Sequence, residues 1–202
     1  MKKVAVITDS SAYLPGEIVQ DLELHVVPLT LHWEGESFRD GEDIKAEEFY
    51  ERLADEDNLP TTSQTTIGEF ERLFKTLLDQ DKAVIAILIS SGISGTVESA
   101  IKAKESFLDA PIAVVDSQLV SMALGFMAMT VARAAQDGAS LEECRAIAEN
   151  IYPKIGVYFT VDTLKYLNKG GRINTAKRLL GSALNIKPIM EIRDGKIELV
   201  ES

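Results

Sequence analysis

The sequence has one cysteine, Cys144, and two histidines, His25 and His32, in 202 residues. A single thiol closes no intramolecular disulfide and builds no cysteine-ligated zinc site. Cys144 sits in the helical segment LEECRAIAENI, where a small buried thiol is the ordinary role. The histidines lie far upstream of the serine-rich motif at 90–96, where a serine hydrolase would need one downstream. They are seven residues apart, so an uninterrupted strand would turn them to opposite faces. Each reads as a structural or surface histidine rather than a base or metal ligand. Basic residues are also few, 21 Lys and Arg against 32 Asp and Glu, for a net charge of −11. That balance repels phosphate backbones, and excludes nucleic acid as the main partner. No run approaches the roughly 20 apolar residues of a membrane span, so no stable membrane insertion is expected. The apolar run after the first lysines is about five residues, too short for a signal-peptide core. A soluble, cytoplasmic protein is the expectation.

Apolar residues make up 46% of the chain, enough for a packed core. They alternate between strand and helix patterns. Lys3 to Thr8 reads as a buried strand, Pro15 to Leu22 as a short helix with Pro in its first turn, and Leu24 to Trp33 as a strand with Pro28 at an edge or bulge. Lys45 to Ala54 is helical, and Ile67, Phe70, Leu73, Phe74, Leu77 and Leu78 form the stripe of an amphipathic helix. AVIAILI at 83–89 and Ile112 to Val115 are apolar on both faces, as buried parallel strands are. Helices are expected over Ser94 to Phe107, Leu119 to Gln136 and Leu141 to Tyr152. This alternation predicts an α/β fold whose N-terminal domain, residues 1–152, is a parallel sheet with helices on both faces.

The pattern changes near residue 153. A strand is expected at Gly156 to Val161, a short helix at Asp162 to Lys169 stopped by Gly170-Gly171, and a helix at Thr175 to Leu184. Asp194-Gly195 then separates two alternating runs, a hairpin signal. Residues 153–202 therefore read as the start of a second α/β domain with antiparallel strands. The sequence stops in mid-strand at Ser202, so this domain reads as truncated.

Two hydroxyl-rich turns carry the functional signal, PTTSQ at 60–64 and SSGISGT at 90–96. Each precedes a helical pattern. Helix starts expose N–H groups and the positive end of the macrodipole, and Ser or Thr there caps the helix or donates to an anion. Two such turns would grip a carboxylate or phosphate without metal or lysine. Three strands end in polar pairs, Asp9-Ser10, Ser90-Ser91 and Asp116-Ser117, at the sheet edge where open parallel sheets bind ligands. Capping accounts for any one of them; together they predict a shared polar rim. Asp9 and Asp116 are less well explained as a metal or acid–base pair than as caps. The 90–96 turn lacks the lysine and spacing of a phosphate-binding loop, and its Ser94 lacks the glycine spacing of a nucleophile elbow.

PTTSQ, SSGISGT, the opening ITDSSAYLP and YLNKGGRI at 166–173 resemble, in order and approximate spacing, the signatures of the DegV family over essentially the whole chain. The resemblance implies a two-domain α/β protein holding a long-chain fatty acid between its domains, without catalysis or a cofactor. It implies a subunit that presents the acyl carboxylate to a separate fatty acid kinase subunit, the acyl phosphate going on to phospholipid synthesis. Carried over, Thr62 and Ser94 donate to the carboxylate, flanked by Thr61, Ser63, Gly95 and Thr96. Arg172 matches an arginine near the entrance, where the alternative is a favourable charge at a helix C-terminus. Asp9, Ser10, Ser91, Asp116 and Ser117 are secondary rim candidates. A carboxylate-contacting histidine of the family has no counterpart here. The segment LVSMALGFMAM at 119–129 reads first as a buried helix and second as the wall of an acyl tunnel. The competing class is a small-molecule hydrolase or phosphotransferase using the Asp-Ser turns.

Overall fold

The structure is a computed structural model and describes residues 2–55, 59–173 and 187–200. The helix expected over 175–184 and the last two residues lie outside these.

The central sheet is parallel, in the order β2-β1-β6-β7, with β1 Val4–Asp9, β2 His25–Val27, β6 Ala83–Leu88 and β7 Ile112–Asp116. Side chains alternate along each strand. Val4 and Val6 of β1, with Ile85 and Ile87 of β6, face one core. Leu124, Met127 and Val131 of α5 (Met122–Gln136) and Cys144 and Ala148 of α6 (Leu141–Ile151) fill that core. Ala5 and Ile7, with Val84, Ala86 and Leu88, face the other. Phe70, Phe74 and Leu77 of α3 (Ile67–Asp79) and Val97, Ala100 and Ala103 of α4 (Thr96–Glu105) pack there. Each large side chain fully withdrawn from water contributes about 1.5–3 kcal/mol. The apolar 119–129 segment is thus core, as first read: its Leu124, Met127 and Ala128 pack on the sheet. Burial also holds the Cys144 thiol above its ordinary pKa.

The single strand expected over 24–33 is two strands in two sheets. Pro28 marks the break. β2 pairs with β1, whereas β3 (Thr30–Trp33) starts an antiparallel sheet in the order β4-β3-β5, with β4 Glu36–Arg39 and β5 Thr61–Ser63. Proline cannot donate to a ladder, so the chain changes sheets where a donor is missing. The two histidines therefore do not share a strand. Helix α2 (Ala46–Asp55) covers this sheet, and Phe49 meets Trp33 edge-on at 5.4 Å between ring centroids.

PTTSQ is not a helix start. Thr61–Ser63 is an edge strand, and α3 begins beyond it at Thr66, whose hydroxyl accepts the Glu69 N–H in a capping box. Buried Thr65 sets the spacing by donating to the Pro28 carbonyl at 2.9 Å. Helix α4 begins at Gly95 with no side-chain cap. Hydrophobic pattern fixes where a helix lies, but its first turn depends on which acceptor reaches its free N–H groups.

The short helix α1 (Gly16–Asp21) follows β1. After a 3₁₀ turn at Tyr152–Lys154 the strand expected over 156–161 contracts to β8, Tyr158–Phe159. Helix α7 (Lys165–Lys169) ends at Gly170, with Gly171 at φ +72. The hairpin is present as β9 (Met190–Arg193) and β10 (Lys196–Leu199). Asp194 and Gly195, at φ 49 and 73, form the left-handed turn that matches strand twist. Ile173, Met190, Ile192 and Ile197 make a separate small core, against which Ile93 and Val120 also pack.

Candidate functional site

A cavity of about 460 Å³ opens where β1 ends and the chain crosses from β2 to β3. That is within the usual range of small-molecule sites. Leu14, Val19, Val26, Leu29, Leu31 and Phe49 supply apolar wall; Asp9, Ser10, Asp40 and Thr62 supply polar atoms. Tyr13 and Tyr50 also line it and are 57% and 64% exposed. Tyr13 has φ 50, a left-handed conformation that a bulky residue adopts only when its surroundings compel it. Although the ring is exposed, its phenol is pushed up to about 12, first by desolvation and then by the Asp40 charge.

The polar groups at the strand ends are engaged by one another and by nearby main chain. Asp9 is fully buried and accepts the Ile89 N–H at 2.7 Å, the Ser11 N–H at 3.0 Å and the Ser11 hydroxyl at 2.5 Å. Desolvation still raises its carboxyl above the usual range. The Ser10 hydroxyl donates to Asp40 at 2.6 Å and accepts the Leu29 N–H at 3.1 Å. Asp116 accepts the Ser91 hydroxyl at 2.5 Å, the Ser91 N–H at 3.2 Å and the Gln118 N–H at 3.0 Å. Buried Ser117 closes a local turn on Leu119. Asp9 and Ser10 border the cavity; Ser91, Asp116 and Ser117 do not. Among the described residues, no group of acids, histidines and cysteine is arranged to hold a metal ion.

Strand β5 separates its three hydroxyls by face. Thr62 lies opposite Leu31 and shares its cavity side. Thr61 and Ser63 point to the other side, where His32 bridges Ser63 at 2.7 Å and Ser37 at 2.9 Å. Among the described residues, the Thr62 hydroxyl has no hydrogen-bond partner. In the second turn, the Ile93 and Ser94 N–H groups both donate to the Ser90 carbonyl at 3.0 Å. The Ser94 hydroxyl meets that of Thr96 at 2.9 Å. Neither histidine bonds to Ser94. Ser94, Gly95 and Thr96 lie outside the lining of the cavity, as does Arg172. Arg172 donates from Nε to the Ile93 carbonyl at 3.1 Å and from Nη1 to the Gly170 carbonyl at 2.5 Å, which ties the KGGR turn to the serine turn.

Gln64 connects the two hydroxyl-rich loops. Its Nε2 donates to Ser99 at 3.0 Å, and its carboxamide lies on Gly95 so closely that a Cβ there would overlap it. Sequence reasoning passed over this residue, although its place directly after Thr61–Ser63 was a signal. It also passed over Leu31, which period-two alternation in LTLHW could have flagged. Tyr13, Asp40 and Tyr50 left no local signal, because the fold alone brings them to one opening.

These features define a class: a parallel α/β protein with an apolar cavity at the carboxyl edge of its sheet and neutral hydroxyls beside it. The DegV family model, described as an uncharacterised protein family, matches residues 3–202. The chain belongs to the DegV family. A DegV domain-containing protein of Listeria monocytogenes is 41% identical over 201 residues, 99% of this chain and 71% of that one. The structure of a DegV family protein from Thermus thermophilus, described for its fatty acid binding, superposes with TM-score 0.90 at 33% identity, covering 98% of this chain and 71% of that one. A stearic acid-binding protein from Eubacterium ventriosum gives TM-score 0.90 at 29% identity, covering 100% of this chain and 70% of that one.

Proposed function

We propose that this chain binds a long-chain fatty acid, with its tail in the cavity and its carboxylate toward Thr62 and Ser94. The observation that carries this reading is the apolar cavity beside Thr62, a hydroxyl without a partner among the described residues. The fatty acids bound by the Thermus and Eubacterium relatives support it. Asp40 and Glu42 also line the cavity and disfavour a carboxylate, while Lys45 lines it too and donates to the Gly41 carbonyl. In this reading the head group lies at the neutral Thr62 side. Burying about 15 methylenes at about 0.8 kcal/mol each gives an upper limit near 12 kcal/mol. Each hydrogen bond to the carboxylate adds about 1.5–3 kcal/mol, against an association cost of at least about 4 kcal/mol. The tail supplies affinity and the hydroxyls orient the head.

In this reading the chain divides near residue 153, the tail lies in the cavity of the first part, lined by residues between Asp9 and Thr62, and a separate kinase subunit phosphorylates the presented carboxylate. Arg172, held at the serine turn, is suited to steady the acyl phosphate or the kinase. A hydrolase reading is weaker. Asp9 and Asp116 are engaged by main-chain N–H groups, and Ser94 has no histidine partner.

Organic extraction of the purified protein followed by mass spectrometry tests the proposal. A stoichiometric acid of about C14–C18 is expected, the range that tail burial favours. Leu29→Trp, which fills the cavity, is expected to empty it. An empty wild-type protein with intrinsic esterase or phosphatase activity would reverse the assignment.

A further inference from the structure

The serine turn is held by a part of the chain 105 residues away. Ser90 is 0% exposed. Its hydroxyl donates to the Gly195 carbonyl at 2.6 Å and accepts the Gly92 N–H at 3.1 Å. Its main-chain N–H donates to the Leu119 carbonyl at 2.9 Å, and its carbonyl receives both Ile93 and Ser94 at 3.0 Å. The Ser94 main chain is thus placed relative to Ser90, and Ser90 relative to the hairpin tip. The contact is backbone on backbone: a Cβ on Gly92 would stand 2.5 Å from the Gly195 oxygen, and one on Gly195 would overlap the Ser90 hydroxyl. The far side of the tip is fixed as well, because the Asp194 N–H donates to the Tyr152 hydroxyl at 3.1 Å. Ile93 adds apolar contact with the core beneath the hairpin.

We propose that the Asp194–Gly195 hairpin tip is a positioning element for the Ser94 hydroxyl, acting through Ser90. Ligand occupancy at Ser94 and docking of the hairpin are therefore coupled, and coupling is reciprocal. The ligand half of this inference depends on the fatty-acid reading above; the mechanical half does not. Capping explains neither the buried hydroxyl of Ser90 nor the glycine pair, since Ser90 caps no helix and Gly92 makes its contact outside its own turn.

Two measurements on the full chain test it. The first is amide hydrogen exchange without ligand. Ser90→Ala is expected to speed exchange at Gly92, Ile93 and Ser94 about tenfold, the loss of one buried hydrogen bond, with β1 and β6 amides unchanged. Tyr152→Phe, a milder change on the other side of the tip, is expected to act in the same direction by about threefold. The second is palmitate binding, by calorimetry, to protein first stripped of any copurified lipid. Ser90→Ala is expected to weaken it about tenfold, and palmitate is expected to slow exchange at residues 194–196 in the wild type alone. Unchanged exchange at the serine turn in both variants overturns the brace. A loosened turn with undiminished palmitate affinity overturns the positioning role. A wild type that takes up no palmitate refutes the fatty-acid reading and the coupling together, and leaves the brace to be decided by exchange.

Discussion

Two hydroxyl-rich regions of this molecule have similar composition and opposite disposition. At the ends of β1, β6 and β7, every polar pair is engaged by its neighbour: Asp9 holds Ile89 and Ser11, and Asp116 holds Ser91 and Gln118. At β5, Thr62 faces a cavity and has no partner among the described residues. The strand-end carboxylates join adjacent strands and so stabilise the sheet edge. The edge-strand hydroxyl has one free side, and only that side can recognise a ligand. Availability is therefore a matter of what the neighbouring strand presents. At the sheet ends it presents main-chain N–H groups, which a carboxylate takes up; at β5 it presents Leu31, which takes up nothing.

Substitutions that sharpen the contrast run from the rim to the edge. Asp9→Asn has the largest expected effect, a loss of about 1–3 kcal/mol in urea denaturation, because an amide turns N–H toward donors already aimed at that site. The same carboxyl carries a pH signature. Its pKa is raised in the fold, so its stability contribution is full below the unfolded value and lost as pH rises through the folded one. The wild type should therefore lose stability across that interval, and Asp9→Asn should not. If both behave alike, Asp9 is not the group that titrates. Ser91→Ala is expected to cost about 0.5–1.5 kcal/mol and to leave retained lipid unchanged; a loss of lipid would move Ser91 from brace to site. Thr62→Val is expected to shift stability by less than about 0.5 kcal/mol, since Val suits an edge strand and no internal bond is broken. If the proposed kinase partnership holds, the substitution should lower phosphorylation of bound acid about tenfold or more while extraction still recovers the lipid. Lost retention with intact transfer per bound lipid would reverse the roles of tail and hydroxyl.

Tyr13 belongs to the same contrast. It adopts a left-handed backbone at the cavity mouth, a conformation that costs a bulky residue roughly 1–2 kcal/mol. Tyr13→Gly should relieve that strain while widening the opening. The expected result is a protein of equal or greater stability that exchanges palmitate faster, read by a chase with unlabelled acid. A large loss of stability would show that the ring supports the fold.

The layered core was legible because burial has a period. The stripe in α3 and the doubly apolar AVIAILI strand predicted helices on both faces of a parallel sheet, and the Asp194-Gly195 turn predicted a hairpin. The motifs pointed to Thr62 and Ser94, but their surroundings were misread. PTTSQ looked like the start of a helix because helical periodicity follows it. Pairing with β3 makes it a strand instead. The division of 24–33 was hidden for a related reason: Pro28 announces a defect in pairing without saying which sheet continues after it.

What the sequence determined by itself was thus the set of elements and most of their burial, since both follow from spacing along one chain. Which polar groups are used internally and which are left for a ligand was decided only by tertiary structure. At Ser10 and Ser90 the hydroxyl's partner lies 19 and 105 residues away, in Leu29 and Gly195. Hydrogen bonding is short-ranged and directional, so chemistry readable in one dimension becomes function only after the fold has assigned the neighbours.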